Sequence, residues 1–180
     1  MKQRARAPGF KAIGGLEGEN PGLDAQVDPA GLVKQLALEA GQRVADIGAR
    51  RGYYVRRFSD AVGPDGSVVV TDVDDDALAA LAAQAAGRKN VQVRRAAPDV
   101  SGLEDGTYDL VFMSGVDHFL HDRVAYLTAL KRALKPGGRI AVTHTQALKA
   151  PLAQAAREAG LVVIGGEDRP DFYLLIFRPA

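Results

Sequence analysis

The stretch VADIGARRGYY (residues 44–54) places an apolar run directly before a turn with two glycines and two arginines. The run RVADI (43–47) is short and rich in β-branched residues, which predicts a strand. Gly48 allows the backbone to bend sharply after this strand, and Gly52 permits close packing where a helix begins. Such a turn offers free N–H groups and the positive end of a helix dipole. The stretch therefore predicts a strand, a ligand-binding turn and a helix.

Similar apolar runs recur along the chain and alternate with segments of helical periodicity. Six further strands are predicted at 67–72, 91–94, 109–113, 139–143, 161–165 and 172–177, and helices at 53–62, 74–87, 123–134 and 150–160. Continuous apolar strands separated by helices indicate a parallel sheet covered on both faces. The last two strands are too close together for a helical crossover, so they should form an antiparallel hairpin. The prediction is an α/β fold: a doubly wound, Rossmann-like three-layer sandwich whose seventh strand is antiparallel.

The composition limits the kinds of chemistry available to the chain. Its 180 residues fit one domain, and 23 basic against 22 acidic side chains give no global field to attract nucleic acid or an acidic membrane. The absence of cysteine excludes disulfides, thiolate nucleophiles and iron–sulfur clusters. Glycines and prolines in residues 1–28 predict a flexible N-terminal segment, which leaves residues 29–180 as the folded domain. With no apolar leader or membrane-length segment, we expect a cytoplasmic protein.

Asp72 ends the second predicted strand about 20 residues beyond the glycine turn. An acidic side chain at that spacing can accept hydrogen bonds from both hydroxyls of a ribose. The alternative is that the glycines serve an ordinary tight turn and that Asp72 belongs to the cap of the following helix. The turn and Asp72 together favour a nucleoside ligand.

Over about residues 40–178 the chain resembles the class I S-adenosylmethionine-dependent methyltransferases, with a domain like methyltransferase type 11. The resemblance lies in VADIGARRGYY, VVVTDVDDDAL, YDLVFMSGVDHF, LKRALKPGGRIAV and FYLLIF. LKPGG before a strand is the most specific of these, because dehydrogenases with a similar glycine turn seldom use it. The resemblance implies that S-adenosyl-L-methionine is the cofactor and that the acceptor is a small molecule, with neither nucleic acid nor membrane as partner.

The same resemblance implies a role for each residue that matches a family motif. Residues at the end of the first strand and in the turn would hold the methionine end of the cofactor: Asp46, Gly48, Ala49, Arg50 and Gly52. Asp72 would hold the ribose, Val73 one face of the adenine, and Ser114 would border the transferred methyl. Asp99 is expected to contact the adenine amino group, because Ala97 stands where the family often has an acidic residue.

Arg50 is the main departure, since it replaces the middle glycine of the family motif. An arginine at the start of a helix needs an anion, which the cofactor carboxylate or Asp46 could supply. Its charge also opposes the sulfonium, and a side chain that points into solvent is the third possibility. The alternative function is therefore a noncatalytic domain that binds S-adenosylmethionine or S-adenosylhomocysteine, or that has lost cofactor binding.

Methyl transfer depends mainly on holding the acceptor close to the methyl group, so no fixed catalytic residue is required. If the acceptor must lose a proton, the candidate bases are His144, His118 and Asp117, with His144 as the first choice. His118 could instead take part in capping the helix that follows. We expect no metal, because Ser114 and Gly115 stand where metal-dependent relatives carry an acidic ligand.

Overall fold

The structure is a computed structural model that describes residues 28–180. The predicted flexible segment therefore lies outside the described residues, apart from Asp28. A short helix that the sequence analysis did not predict, α1 (Pro29–Gln35), follows directly. Its start is explained by Asp28, whose carboxylate accepts the N–H of Gly31 at 3.0 Å, and by proline in the first turn.

Seven strands form one sheet with the order β3-β2-β1-β4-β5-β7-β6. The strands are β1 (Arg43–Ile47), β2 (Ser67–Asp72), β3 (Val91–Arg95), β4 (Tyr108–Ser114), β5 (Leu134–Thr145), β6 (Leu161–Asp168) and β7 (Phe172–Pro179). Strands β1 to β5 pair in parallel, whereas β7 runs antiparallel to both β5 and β6. The predicted seven-stranded sheet with an antiparallel last strand is confirmed.

Helices cover both faces of the sheet and create two separate cores. The longer helices are α2 (Val55–Val62), α3 (Asp75–Ala85), α4 (Arg123–Ala133) and α5 (Lys149–Glu158). Helices α1, α2 and α3 contribute to one core with Val44 of β1, and α4 and α5 contribute to the other with Ala45. Neighbouring residues of β1 thus enter opposite cores, which explains why the central strands are apolar throughout. Among the helices of residues 28–180, none is both long and apolar enough to cross a bilayer.

Two differences in element bounds have clear physical causes. Helix α2 begins at Val55 rather than at Tyr53, because residues 51–54 still belong to the turn. Strand β5 begins at Leu134, five residues earlier than predicted, because Leu134 already pairs with Tyr108 before a register shift. The glycine-containing segment LKPGG is therefore the first part of strand β5 instead of a separate turn.

Candidate active site

A cavity of about 370 Å³ opens at the carboxyl ends of β1, β2 and β4. Its size lies within the range of small-molecule pockets. Its walls come from the turn after β1, the end of β2, and the loops after β3 and β4. The residues that line it include Gly48, Arg50, Asp72, Val73, Asp99 and His121. The topology brings these separate loops together, because the carboxyl ends of parallel strands share one edge of the sheet.

The turn after β1 has the conformation that its glycines predict. Gly48 and Gly52 have φ angles of 65° and 84°, in the left-handed region that favours glycine. A Cβ atom on Gly48 would lie 2.6 Å from Cγ2 of Val116, so the turn packs closely against the loop after β4. The N–H of Ala49 also donates to the carbonyl of Thr71 at 3.0 Å, which fixes the turn to the end of β2.

The Asp72 carboxylate fastens the glycine turn to the start of the segment that leads to α3. Its Oδ2 accepts the N–H of Arg50 at 2.9 Å, and its Oδ1 accepts the N–H groups of Val73 and Asp74 at 2.8 and 3.1 Å. Asp74, not Asp72, caps α3 by accepting the N–H of Ala77 at 2.9 Å. The carboxylate of Asp72 therefore stays in the cavity wall, where it can also accept hydrogen bonds from a ligand.

Asp46 lies in a smaller adjoining cavity together with Ala49, Arg50 and Ser114. Its carboxyl group is buried, and that burial, followed by the nearby negative charge of Asp72, raises its pKa to about 8. Without a ligand, Asp46 is therefore mostly protonated at neutral pH. A positively charged ligand group at this position would favour the ionised form.

Arg50 lines both cavities and has an exposed side chain. Its φ angle of 51° lies in the left-handed region, which explains why the family uses glycine at this position. Within residues 28–180, no carboxylate forms an ion pair with its guanidinium. Of the possibilities raised by the sequence, the pairing of Arg50 with Asp46 is therefore not formed among these residues.

Val73 and Asp99 lie at the rim of the larger cavity. Half of the Val73 surface is exposed, as a side chain that covers one face of a ligand ring requires. The Asp99 carboxylate accepts the backbone N–H of His121 at 2.8 Å and contacts its ring Nδ1 at 2.5 Å. This Asp99–His121 contact joins the loop after β3 to the loop after β4. The sequence analysis missed the contact, because its partners are 22 positions apart and no local pattern connects them.

The two histidines proposed as bases lie side by side. Nε2 of His144 lies 2.8 Å from Nδ1 of His118, although the residues are 26 positions apart. His144 is only 4% exposed, and burial lowers the pKa of both rings below their usual value. Neither ring belongs to the walls of the two cavities among the described residues. His118 occupies a short 3-10 turn (Asp117–Phe119), whereas Asp122 caps α4.

Asp117 completes this histidine cluster. It is fully buried, and its Oδ2 accepts from Nε of Arg123 at 3.2 Å. Its Oδ1 lies 3.8 Å from Nε2 of His144 and has no hydrogen-bond partner within residues 28–180. The hydroxyl of Tyr173 is likewise buried without such a partner, and burial followed by the charge of Asp117 raises its pKa.

Hydrogen bonding to His144 decides which nitrogen carries its proton. The N–H of Thr145 donates to Nδ1 of His144 at 2.7 Å, so Nδ1 must be the unprotonated nitrogen of the neutral ring. The proton then lies on Nε2, which donates to Nδ1 of His118. Asp117, His118 and His144 offer possible ligand atoms within 4.8 Å of one another. In this tautomer the contacts are those of a hydrogen-bonded cluster, and the expected absence of a metal stays a prediction.

Comparison with known proteins identifies the family. The sequence profile described as "Methyltransferase domain" matches residues 45–140, which include the glycine turn, Asp72 and Ser114. The chain belongs to this methyltransferase family. The fold agrees, because a crystal structure described as a SAM-dependent methyltransferase from Aquifex aeolicus superimposes with a TM-score of 0.81 at 24% identity. That match covers 89% of this chain and 94% of the other. The predicted resemblance to class I S-adenosylmethionine-dependent methyltransferases is confirmed, and with it the family's cofactor.

Curated relatives of the methyltransferase domain carry the name ubiquinone/menaquinone biosynthesis C-methyltransferase UbiE. The protein from Ectopseudomonas mendocina is 36% identical over 111 residues, which are 58% of this chain and 42% of the relative. That from Serratia proteamaculans is 32% identical over 122 residues, 66% of this chain and 49% of the relative. The chain thus spans about half the length of the curated relatives it matches. A [4+2]-cyclase, SpnF, also shares the fold with a TM-score of 0.75 at 15% identity, so the fold alone does not fix the reaction.

Proposed function

We propose that this methyltransferase domain transfers the methyl group of S-adenosyl-L-methionine to a small-molecule acceptor. The observation that carries the proposal is the hydrogen bond from the Arg50 N–H to Asp72, which joins the glycine turn to the ribose-binding position at the wall of one cavity. The cofactor supplies an electrophilic methyl group on a positively charged sulfur. The protein has to orient this group and keep water away from it.

The described residues fit the cofactor in chemical terms. Asp72 is the acceptor for the ribose hydroxyls, because its carboxylate is held in the cavity wall by three backbone N–H groups. Val73 covers one face of the adenine. We propose that Asp99, whose carboxylate contacts His121, serves the adenine end. These roles are our proposal for the larger cavity.

We assign the amino-acid end of the cofactor to the side of the site where Asp46 lies. The buried, mostly protonated Asp46 would ionise beside the cofactor's ammonium group, which makes binding and proton release linked events. Backbone groups of Gly48 to Gly52 approach the ligand closely because the turn has no bulky side chain at either glycine. Ser114 ends β4 in the smaller cavity, and we propose that it borders the transferred methyl.

The relatives' names indicate which acceptor to test first. They describe C-methylation in ubiquinone and menaquinone biosynthesis, so we propose a quinone-type ring precursor as the first candidate acceptor. We also propose that the protein acts in the cytoplasm and that neither nucleic acid nor a membrane is its partner. His144 and His118 remain the proposed bases for an acceptor that must lose a proton.

Isothermal titration with S-adenosylmethionine and with S-adenosylhomocysteine tests the proposal directly. We expect both to bind, and Asp72→Asn to weaken binding by roughly tenfold or more, since a hydrogen bond to a charged group contributes about 1.5–3 kcal/mol. Asp76→Asn is the matched control, because Asp76 is exposed on α3 and outside the cavity wall. Absence of heat with both ligands would refute the enzyme and leave a domain that has lost cofactor binding.

The noncatalytic alternative is favoured by one observation, the Arg50 guanidinium at the wall of both cavities. Its positive charge repels a sulfonium but not a neutral thioether. If this repulsion dominates, S-adenosylhomocysteine will bind much more tightly than S-adenosylmethionine, and no acceptor will receive a labelled methyl group. Arg50→Gly should then restore binding of the sulfonium form.

A further inference from the structure

Tyr126 is a core residue with one edge in the larger cavity. It lies one turn into α4, where its N–H donates to the carbonyl of Asp122 at 3.1 Å. Only 6% of its surface is exposed, and it packs in the core that α4 and α5 cover. It nevertheless lines the larger cavity. A tyrosine in such a position can serve both packing and ligand binding, because its ring is apolar and its hydroxyl is polar.

The hydroxyl group of Tyr126 is available to a ligand. It forms no hydrogen bond with any other group of residues 28–180, yet it is not one of the enclosed hydroxyls without a partner, such as that of Tyr173. The hydroxyl therefore reaches the open space of the cavity. Burial, followed by the charge of Asp99, raises the pKa of the hydroxyl to about 12, so it keeps its proton at neutral pH. Tyr126 thus offers a hydrogen-bond donor to an occupant of the cavity.

The Asp99 carboxylate lies near the start of the same helix. It accepts the backbone N–H of His121 at 2.8 Å, and His121 directly precedes Asp122, the cap of α4. Asp99 and His121 line the larger cavity together with Tyr126. A carboxylate has about four acceptor sites, so its contacts with His121 leave Asp99 able to accept a further N–H. This end of the cavity therefore combines an acceptor, the Asp99 carboxylate, with a donor, the Tyr126 hydroxyl.

A donor and an acceptor at the same end of a cavity match one edge of adenine. The amino group of adenine donates, and the ring nitrogens on either side of it, N1 and N7, accept. Hypoxanthine has a carbonyl oxygen in place of the amino group, so it would turn an acceptor towards the carboxylate. A carboxylate alone accepts from any N–H group, whereas a hydroxyl that must donate also requires an acceptor beside that group. The two side chains together can therefore distinguish adenine from bases that lack this pattern.

We propose that the Tyr126 hydroxyl donates a hydrogen bond to a ring nitrogen of the cofactor's adenine, beside the amino group that Asp99 accepts. The inference rests on the proposed function, which puts the adenine in the larger cavity, and it adds a residue that determines specificity for the base. The donor comes from α4, outside the glycine turn and the end of β2 that supply the other cofactor contacts. It strengthens recognition of the base in a chain that has Ala97 where the family often has an acidic residue.

Calorimetric titration of wild type and Tyr126→Phe tests the hydrogen bond with three ligands. These are S-adenosylhomocysteine and its 1-deaza and 7-deaza analogues, each of which has C–H in place of one ring nitrogen. We expect wild type to bind one analogue about two- to tenfold more weakly than S-adenosylhomocysteine, the effect of one neutral hydrogen bond. Tyr126→Phe should bind S-adenosylhomocysteine more weakly by a similar factor and should no longer distinguish it from that analogue.

Tyr108→Phe is the matched control for the loss of a hydroxyl. Tyr108 is a buried tyrosine whose hydroxyl contacts Glu104, and it lines neither of the two cavities described above. This variant should keep the wild-type preference for S-adenosylhomocysteine over the analogue. A further ligand, S-inosylhomocysteine, carries hypoxanthine and should bind wild type on the order of tenfold more weakly than S-adenosylhomocysteine. Equal binding of these two ligands would overturn the selection of adenine.

The possible results separate this inference from the proposed function. If wild type fails to bind S-adenosylhomocysteine, the proposed function itself is wrong. If wild type binds it but binds both deaza analogues equally well, only the role of Tyr126 is overturned. The same holds if Tyr126→Phe weakens all three ligands by one factor, because the residue then serves packing alone. A preference that Tyr126→Phe abolishes supports the inference, and the analogue concerned identifies the nitrogen as N1 or N7.

Discussion

Replacement of Asp46 by asparagine should stabilise the ligand-free protein increasingly as the pH rises. The carboxyl of Asp46 is buried, and its pKa is raised from an ordinary 3.8 to about 8 in the folded chain. Between these values the unfolded chain has released the proton while the folded chain still holds it, so the free energy of unfolding falls with rising pH. The loss is about 1.4 kcal/mol per pH unit. Asparagine keeps the shape of the side chain and removes this loss.

The expected difference between Asp46→Asn and wild type therefore grows by roughly 3 kcal/mol at most between pH 6 and pH 8. Urea unfolding at pH 6, 7 and 8 without ligand measures it. The lowered pKa values of His118 and His144 add their own pH dependence, but they do so in both proteins, and the difference cancels them. A difference that stays constant across this range would refute the buried, protonated carboxyl and the proton release we expect on cofactor binding.

Three further changes test the packing around the site by the free energy of unfolding. Gly48→Ala should destabilise the protein more than Gly41→Ala, because both glycines have left-handed backbones but only a Cβ at Gly48 would meet Val116. The two variants should differ by about 1–3 kcal/mol in the free energy of unfolding. Equal losses would contradict the contact with Val116. Phe58→Ala should cost about 3–5 kcal/mol, since its ring is fully buried, and a loss below about 1 kcal/mol would contradict that burial. Asp74→Ala should cost about 1 kcal/mol by removing the cap of α3, and an unchanged stability would show that the cap contributes nothing.

The sequence predicted the sheet well because its strands are continuous apolar runs between helical segments. The strands 43–47 and 67–72 have the same bounds in the structure as in the prediction, and both are interior strands of the sheet. Helix α1 was missed because its seven residues carry too little periodicity to stand out from a loop. The early start of β5 depends on pairing with Tyr108, a long-range contact that no local pattern contains.

The same held for the site: features set by local sequence could be predicted, and contacts between distant residues could not. The glycine turn and Asp72 come together as expected, because their positions follow from strand ends and local turn chemistry. The contact between His118 and His144 could not be predicted, since it joins residues 26 positions apart. Because Arg50 replaces a glycine of the family, the sequence is consistent with its left-handed φ angle. The direction of its side chain could not be predicted from the sequence.

The contact between Asp99 and His121 has a consequence for protein engineering. The contact connects the loop after β3 to the loop after β4, so lengthening or replacing one loop would displace the other. Designers who wish to admit a bulkier compound should exchange both segments as a matched set. Replacing only one loop would widen the entrance of the cavity but break the Asp99–His121 contact that holds the other loop.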